Sequence, residues 1–491
     1  MTAASALYPA ALAATLAAWV LCVPAAAGRL KRRLASAPRG TGYLLAVIVL
    51  AALALRLTHA PAHQVYDDEF EHLDIARRVA ATGVFAETTV GGLPGWDVMT
   101  RPTWPGGHHI ALAAAFSLFG PGERTAFVWS AVLSALSVLF VFWAALEAFD
   151  DERGALAAAF VWGASPLLLR YALATDLTSS SVFWIAVALA ALHAREKEPG
   201  LDAFAALSLA YAVQVRPENV LLIGYAVLLR APRAVYLPAL AGFAVPAAIA
   251  LANRSDGLPG YSAASTAPLA HLARQLGPNL RFLLGRAEFW PVLLPAAGAV
   301  VLLKRPALKL MALSLAFLAL YGCFFRGRFD AGTEDRYALS VILPLSVAAA
   351  PLLSGAAVPA ALLAAGLAWV GPAAPEPEHE AARKFLAASA KLVPERAYIA
   401  AFNPPFVREV AGRPVAWAPL ILEDLPGFEA KRASAGAAPE LVLYKDWAWR
   451  SRAEQAAKLE SALAAAYDFS PLADNGLDSL VRLSPKLRAR R

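Results

Sequence analysis

Charge is scarce in this chain. Asp, Glu, Lys and Arg make up 16% of its 491 residues, where an ordinary soluble domain carries about 25%, so most of the surface is not made for water. Cysteine is scarcer still: Cys22 and Cys323 are the only two, and both lie inside apolar stretches without metal-ligand spacing. That excludes a disulfide framework and a zinc site and leaves two small apolar residues suited to burial. A broad face of one sign is missing as well. The 44 basic and 37 acidic residues give a net charge of +7, but the basic ones sit in short clusters between apolar runs, which is a topology pattern rather than a nucleic-acid-binding surface. No nucleic-acid partner is expected. Internal repeats are absent, and low complexity goes no further than a general richness in Ala. The apolar segment ending in Pro24-Ala25-Ala26-Ala27-Gly28 has the small residues of a cleavage site but no positive n-region before it. The first basic cluster, Arg29, Lys31, Arg32 and Arg33, follows it instead, as expected of an uncleaved helix whose C-terminal end faces the cytoplasm.

What is abundant is apolar sequence, 59% of the chain. A bilayer core takes about 20 apolar residues in a helix, because backbone amides in lipid must be satisfied within the segment. Candidate spans start near Leu7, Tyr43, Thr125, Gly154, Leu177, Ala203, Val220, Val235, Val292, Leu308, Ala338 and Ala356, the last ending near Gly371. Counted alternately from an outside N-terminus, the cytoplasmic connections carry Arg29 to Arg39, Arg153, Arg195 with Lys197, Arg230 with Arg233, and Lys304 with Arg305 and Lys309. Short loops rich in Lys and Arg thus fall on one side. The fold class this predicts is an α-helical polytopic membrane protein. Longer polar stretches fall outside: residues 59–124, the turn around Asp176, 253–290 and 326–337.

From Pro372 the composition turns mixed and polar. Helical signals at 381–392 and 453–467 alternate with strand-like runs at 397–401, 441–444 and 479–483, predicting a small α/β extracytoplasmic domain over 373–491 behind a membrane domain of 1–372, joined by the Pro-rich stretch 372–377.

Just outside the second span, Phe70, Leu73, Ala76, Val79 and Ala80 recur at helical spacing while Asp68, Glu71, His72 and Arg78 take other faces, predicting an amphipathic helix at the membrane surface. Asp68 falls at its N-cap or one residue inside, where amide donors and the helix dipole keep a carboxylate ionised. Such a group can take a proton from an attacking hydroxyl. With Glu71 three residues on, it also reads as a capping-box variant. His72, one turn later, can orient Asp68, bind a substrate hydroxyl, or join Asp67 or Asp68 on a divalent metal such as Mg or Mn. Asp176 lies at the edge of a span on the same face, where a charge is costly without water or a partner. Arg216-Pro217-Glu218-Asn219 separates two short spans, and interrupted helices at depth line cavities. Arg101, Arg326 and Arg328 also lie outside near span ends, as site cations or as interfacial anchors.

The order of these features resembles the GT-C membrane glycosyltransferases, above all the branch of the protein O-mannosyltransferases and aminoarabinose transferases, the glycosyltransferase family 39-like enzymes. Asp68-Glu69 in the first external loop is followed by Pro102-Thr103-Trp104-Pro105, a short helix ending in Phe119-Gly120, Ser165-Pro166-Leu167 with Asp176 beyond it, Arg216-Pro217-Glu218, and Asp335-Arg336-Tyr337 with Pro344 after it. The resemblance implies a GT-C fold and an inverting transferase that moves a sugar from a polyprenyl-phosphate donor to a protein, lipid or glycan acceptor at the outer face of the plasma (inner) membrane. By this resemblance Asp68 is the general base, Glu69 positions acceptor or base, and Asp176 orients the acceptor. Arg216 and Arg336 bind the leaving phosphate, and Arg101, His72 and Tyr337 join the substrate-binding set. The chain departs from the family pattern where many members have adjacent prolines. Two other classes compete: a transporter or lipid flippase, which calls for ionisable residues near mid-span, and a catalytically silent scaffold on the same fold.

Overall fold

A computed structural model of the chain describes residues 4–93, 96–100, 105–255, 268–302, 304–324, 327–355, 377–434 and 440–486. It divides into two compact units, Met1–Gln64 with Thr103–Ala373 and Val65–Pro102 with Ala374–Arg491. The expected division at 372/373 left residues 65–102 with the membrane helices; by packing they belong to the second unit.

The first unit is helical. Leu7–Ser36, Thr41–Thr58, Glu123–Phe149 and Arg305–Gly322 are long and apolar enough to cross a membrane, and Glu152–Gly163 with Pro166–Ala172 forms one broken span bent by 57°. The break follows from Ser165-Pro166: Pro166 has no amide to continue the ladder, and the Ser165 hydroxyl accepts from Leu168 N to start the next helix. Eleven of the twelve expected starts fall at or within helices, several of them short, such as Asp202–Val215 and Leu221–Leu228; the twelfth, Ala356, lies outside the described residues. Thr178–Lys197 is buried from Thr178 to Ala194 and packs closely on Glu123–Phe149 and Asp202–Val215, which puts the core of this unit around it.

Ion pairs sort the loops of this unit into two groups. Arg29, Arg33 and Lys197 meet Glu147 and Asp150, Arg195 meets Asp202, and Lys309 meets Glu196. Arg170 and Arg286 meet Asp335, and Arg336 meets Asp176. Each group contains only loops that the alternation of basic clusters assigns to one side, so the helix directions agree with it.

The second unit is built on a seven-stranded sheet in the order β2-β1-β4-β3-β5-β7-β6, with β1 Glu87–Leu93, β2 Trp96–Thr100, β3 Tyr398–Ala401, β4 Val415–Trp417, β5 Leu441–Lys445, β6 Tyr467–Asp474 and β7 Ser479–Pro485. β3 pairs in parallel with β4 and β5, and the remaining pairs are antiparallel. The expected strands at 397–401, 441–444 and 479–483 are β3, β5 and β7. The β1–β2 hairpin from the first external loop was not expected; it joins the sheet through Val90 and Gly91 against Ala416 and Val415. Gly92 is required there, since its φ is +106° and a Cβ would come within 2.9 Å of Pro414 Cα.

The helix Tyr66–Thr82 belongs to this unit rather than lying free on a membrane surface. Tyr66 and Phe70 pack edge-on against Phe406, which in turn meets Trp447, and Arg77 pairs with Glu409 while Arg408 pairs with Asp74. The apolar stripe read from the sequence therefore has a protein partner, and burying its aromatic rings contributes more than an interfacial position would.

Candidate active site

Three interruptions of the helical ladder build the candidate site of the first unit. Pro166–Ala172 ends at Leu173 and the chain turns through Thr175 and Asp176 into Thr178–Lys197. Asp202–Val215 stops at Arg216, which the following proline holds extended (φ −141°, ψ 131°). Before Ala338–Ala348 a short 3-10 turn, Glu334–Tyr337, carries the acidic-basic-aromatic run. Each break places a polar side chain where the backbone leaves its helix.

Asp176 is buried. Its Oδ1 accepts from Thr178 N at 3.1 Å and its Oδ2 from the Thr178 hydroxyl, which fixes the carboxylate. Arg336 Nη1 lies 3.8 Å from that Oδ2, and Nη2 lies 3.9 Å from Glu334. The Arg336 guanidinium carbon is 5.3 Å from the centre of the Tyr337 ring and that of Arg216 is 5.1 Å from it, so two cations share one aromatic. Tyr337 stacks on Tyr321 at 4.7 Å. Burial pushes the Tyr337 hydroxyl up to about 12, Arg336 pulling the other way, so it remains a neutral donor. The first unit therefore gathers Asp176, Arg216, Arg336 and Tyr337.

Beside them, Asp335 is buried and accepts from Arg170 Nη1 at 2.9 Å and from the Tyr171 hydroxyl at 2.5 Å, with Arg286 at 3.7 Å. Arg170 Nε also donates to Gln64 Oε1 at 2.9 Å. Burial raises the Glu288 carboxyl above its ordinary range against the pull of Arg286. Sequence reading missed Arg170, Tyr171 and Arg286 as site residues and used Asp335 only as a landmark. Arg170 carried a signal, since an arginine inside an apolar span needs a partner; nothing in the sequence singled out Arg286.

Arg216 differs from its neighbours. It is 6% exposed, yet among the described residues its guanidinium has neither an ion pair nor a hydrogen bond, only the ring of Tyr337. Glu218 favours its charge from beyond ion-pair distance and Arg336 opposes it, so the hydrogen-bonding edge of the guanidinium is open to an incoming anion.

Asp68, Glu69 and His72 belong to the second unit. The N-cap of their helix is Val65, so Asp68 is its third residue and not the cap; it is half-buried. Val65 N donates to Glu69 Oε1 at 2.7 Å, so the carboxylate that closes the helix start is that of Glu69, which is buried. His72, expected on a polar face, is as buried as Phe70. Arg101 and Arg326 lie outside the described residues, and Arg328 is exposed and paired with Asp330 at 2.6 Å. Among the described residues no three His, Cys, Asp or Glu side chains are grouped to hold a metal ion.

This arrangement of broken helices with a small sheet-containing unit is the GT-C fold. Two structures of ArnT from Cupriavidus metallidurans are similar to the chain: the apo state at 14% identity and TM-score 0.59, and a complex with undecaprenyl phosphate at 13% and 0.58, each covering 91% of this chain and 98% of that one. The archaeal oligosaccharyltransferase AglB from Archaeoglobus fulgidus, in complex with an inhibitory peptide and a dolichol-phosphate, is similar at 11% identity and TM-score 0.53, over 92% of this chain and 76% of that one. No protein-family profile and no curated protein matches the sequence.

Proposed function

We propose that the chain is a membrane glycosyltransferase that transfers a sugar from a polyprenyl-phosphate carrier to an acceptor hydroxyl or amine, working at the extracytoplasmic face of the plasma membrane. The observation that carries this reading is Arg216, a buried guanidinium with no ion pair or hydrogen bond among the described residues, next to Arg336 and the neutral hydroxyl of Tyr337. A sugar phosphate supplies the missing charge, and the fold is one in which ArnT has been solved with undecaprenyl phosphate and AglB with dolichol-phosphate. As the bond from the anomeric carbon to the phosphate oxygen breaks, negative charge grows on that oxygen, and fixed cations stabilise it more in the transition state than in the ground state.

In this reading Asp68 takes the proton of the acceptor as its oxygen or nitrogen attacks the anomeric carbon from the face opposite the phosphate, giving inversion. Asp176, fixed by Thr178, orients the acceptor. Glu69 supports Asp68 by holding the start of its helix. No step is routed through Mg or Mn, because the described residues offer no grouped ligand set. Protein, lipid and glycan acceptors all meet the chemical requirement.

The test is mass spectrometry of cell-envelope glycans and glycoproteins from cells carrying the wild-type chain, no chain, or only Asp68→Asn. The expected result is a glycan present with the wild type and absent from the other two, with the variant protein still folded and retaining undecaprenyl phosphate. Unchanged glycosylation with Asp68→Asn would overturn the catalytic assignment.

A further inference from the structure

At the end of the first unit opposite Arg216 and Asp335 there is a cavity of about 520 Å³. It lies where Glu123–Phe149 turns into Glu152–Gly163, where Trp290–Val301 passes into Arg305–Gly322, and beside residues 351–352 that follow Ala338–Ala348. Its cationic members are Lys304 and Arg305, both exposed, and its apolar walls include Phe149, Leu302 and Leu352. Its acidic member, Asp151, is engaged as a helix cap and accepts from Gly154 N at 3.0 Å.

Several other cations at this end have protein partners. Arg29 makes two 2.9 Å hydrogen bonds to the buried Glu147, Arg32 is 2.8 Å from Glu198, and Lys197 is 2.7 Å from Asp150. Lys304 and Arg305 have no ion pair or hydrogen bond through their side chains among the described residues. Lys304 and Arg305 thus stand without an ion pair at a cavity with greasy walls, which they share with the capping carboxylate of Asp151. The surface that continues from it is also apolar: Leu294 is 68% exposed, Val301 77% and Leu315 54%, as suits helix faces turned to acyl chains. A small soluble anion would satisfy the cations and leave Leu302 and Leu352 wet. A zwitterionic headgroup would bring its own cation toward Lys304 and Arg305.

We propose that this cavity binds the phosphodiester headgroup of an anionic phospholipid from the leaflet at that end of the bundle, its phosphate between Lys304 and Arg305 and its upper acyl chains along the faces that carry Leu302 and Leu315. Basic pockets between transmembrane helices are suited to such headgroups. The site is separate from the proposed sugar-donor site and does not depend on it.

The experiment uses the full-length protein released from mixed micelles containing phosphatidylglycerol, cardiolipin and phosphatidylcholine, with retained lipid read by native mass spectrometry. The wild type is expected to keep phosphatidylglycerol or cardiolipin in preference to phosphatidylcholine. The double variant Lys304→Gln with Arg305→Gln should lose that preference by roughly 30-fold at low salt, as two near-surface cations imply, while keeping its melting temperature and its retention of undecaprenyl phosphate. Equal retention of phosphatidylcholine by the wild type overturns the proposal, as does an unchanged preference in the double variant. Displacement of the lipid by millimolar inorganic phosphate also overturns it, because the cavity would then be a free-phosphate site. Arg216→Gln should leave this preference intact, which separates failure here from failure of the glycosyltransferase reading.

Discussion

Arg216 and Arg336 approach the same ring, Tyr337, at 5.1 and 5.3 Å, and of the two only Arg336 has carboxylates within ion-pair distance. Two guanidinium groups so close to one another repel, and a shared aromatic offsets only part of that repulsion. The pair is therefore arranged for a ligand with negative charge rather than for the stability of the empty protein. Arg216→Gln should weaken retention of undecaprenyl phosphate by one to two orders of magnitude, roughly the worth of one charge-assisted contact in a site shielded from water. The melting temperature should change little, because Arg216 has no ion pair or hydrogen bond to lose among the described residues. Retention equal to the wild type, measured by native mass spectrometry, would remove Arg216 from the phosphate site.

Asp335 plays the opposite part. Its carboxylate is the common acceptor of Arg170, Tyr171 and Arg286, so Asp335→Asn strands cations that the fold has already drawn out of water. Breaking a buried pair from one side costs about 3 to 5 kcal/mol; Arg170 and Arg286 retain some exposure, so the lower part of that range applies. A fall of several degrees in the thermal midpoint of the purified full-length protein is expected. Asp335→Ala should fall further, because it also removes the oxygens that accept from Arg170 and leaves the Tyr171 hydroxyl only the Thr333 carbonyl as acceptor.

Much of the first unit was legible because lipid imposes a simple code. Apolar runs and basic clusters gave the helices and their alternation, and Pro217 marked the break at which Arg216 sits. The cluster was legible where a landmark residue itself lies in it, as with Asp176 and Arg336. It was not legible where function came from a distant partner: Arg286 meets Asp335 only because two loops far apart in sequence fold to one end. The helix Tyr66–Thr82 was found from its periodicity, but periodicity records that a face is buried and not what buries it. Its aromatic partners Phe406 and Trp447 lie more than 300 residues further along the chain. The hairpin β1–β2 escaped notice because Glu87–Leu93 contains two glycines and weak alternation.

Arg56 offers a test of how the bent span is held. It is fully buried, and its guanidinium donates to Ser134 Oγ at 2.8 Å, to Ala52 O at 2.7 Å and to Gly163 O at 3.2 Å. Gly163 ends the helix before the 57° bend, so its carbonyl has lost its place in the ladder and Arg56 satisfies it. Arg56→Leu keeps the bulk but leaves that carbonyl and the serine without a donor in an apolar setting, a loss of about 1 to 3 kcal/mol for each stranded group. The expected result is a lower thermal midpoint and faster proteolysis at the Ala164–Ser165 corner. Stability equal to the wild type would mean that the bend is held by packing alone.

In the second unit Glu87, on β1, gives a pH dependence with a definite sign. Burial, with the Asp74 carboxylate adding to it, pushes its carboxyl up to about 7 from an ordinary value of 4.5. Between those two pH values the unfolded chain has released this proton and the folded unit still holds it, so the folded state binds more protons and loses stability as pH rises. The contribution is complete below about pH 4.5, declines through the window and is gone above about pH 7; its upper bound is about 3 kcal/mol. Glu87→Gln should carry no such term. Thermal unfolding of the full-length protein, followed by tryptophan fluorescence at pH 5 and pH 8, should therefore show the variant gaining on the wild type as pH rises. A constant difference between the two proteins across that range would mean that Glu87 is ionised in the folded unit and that Asp74 does not repel it.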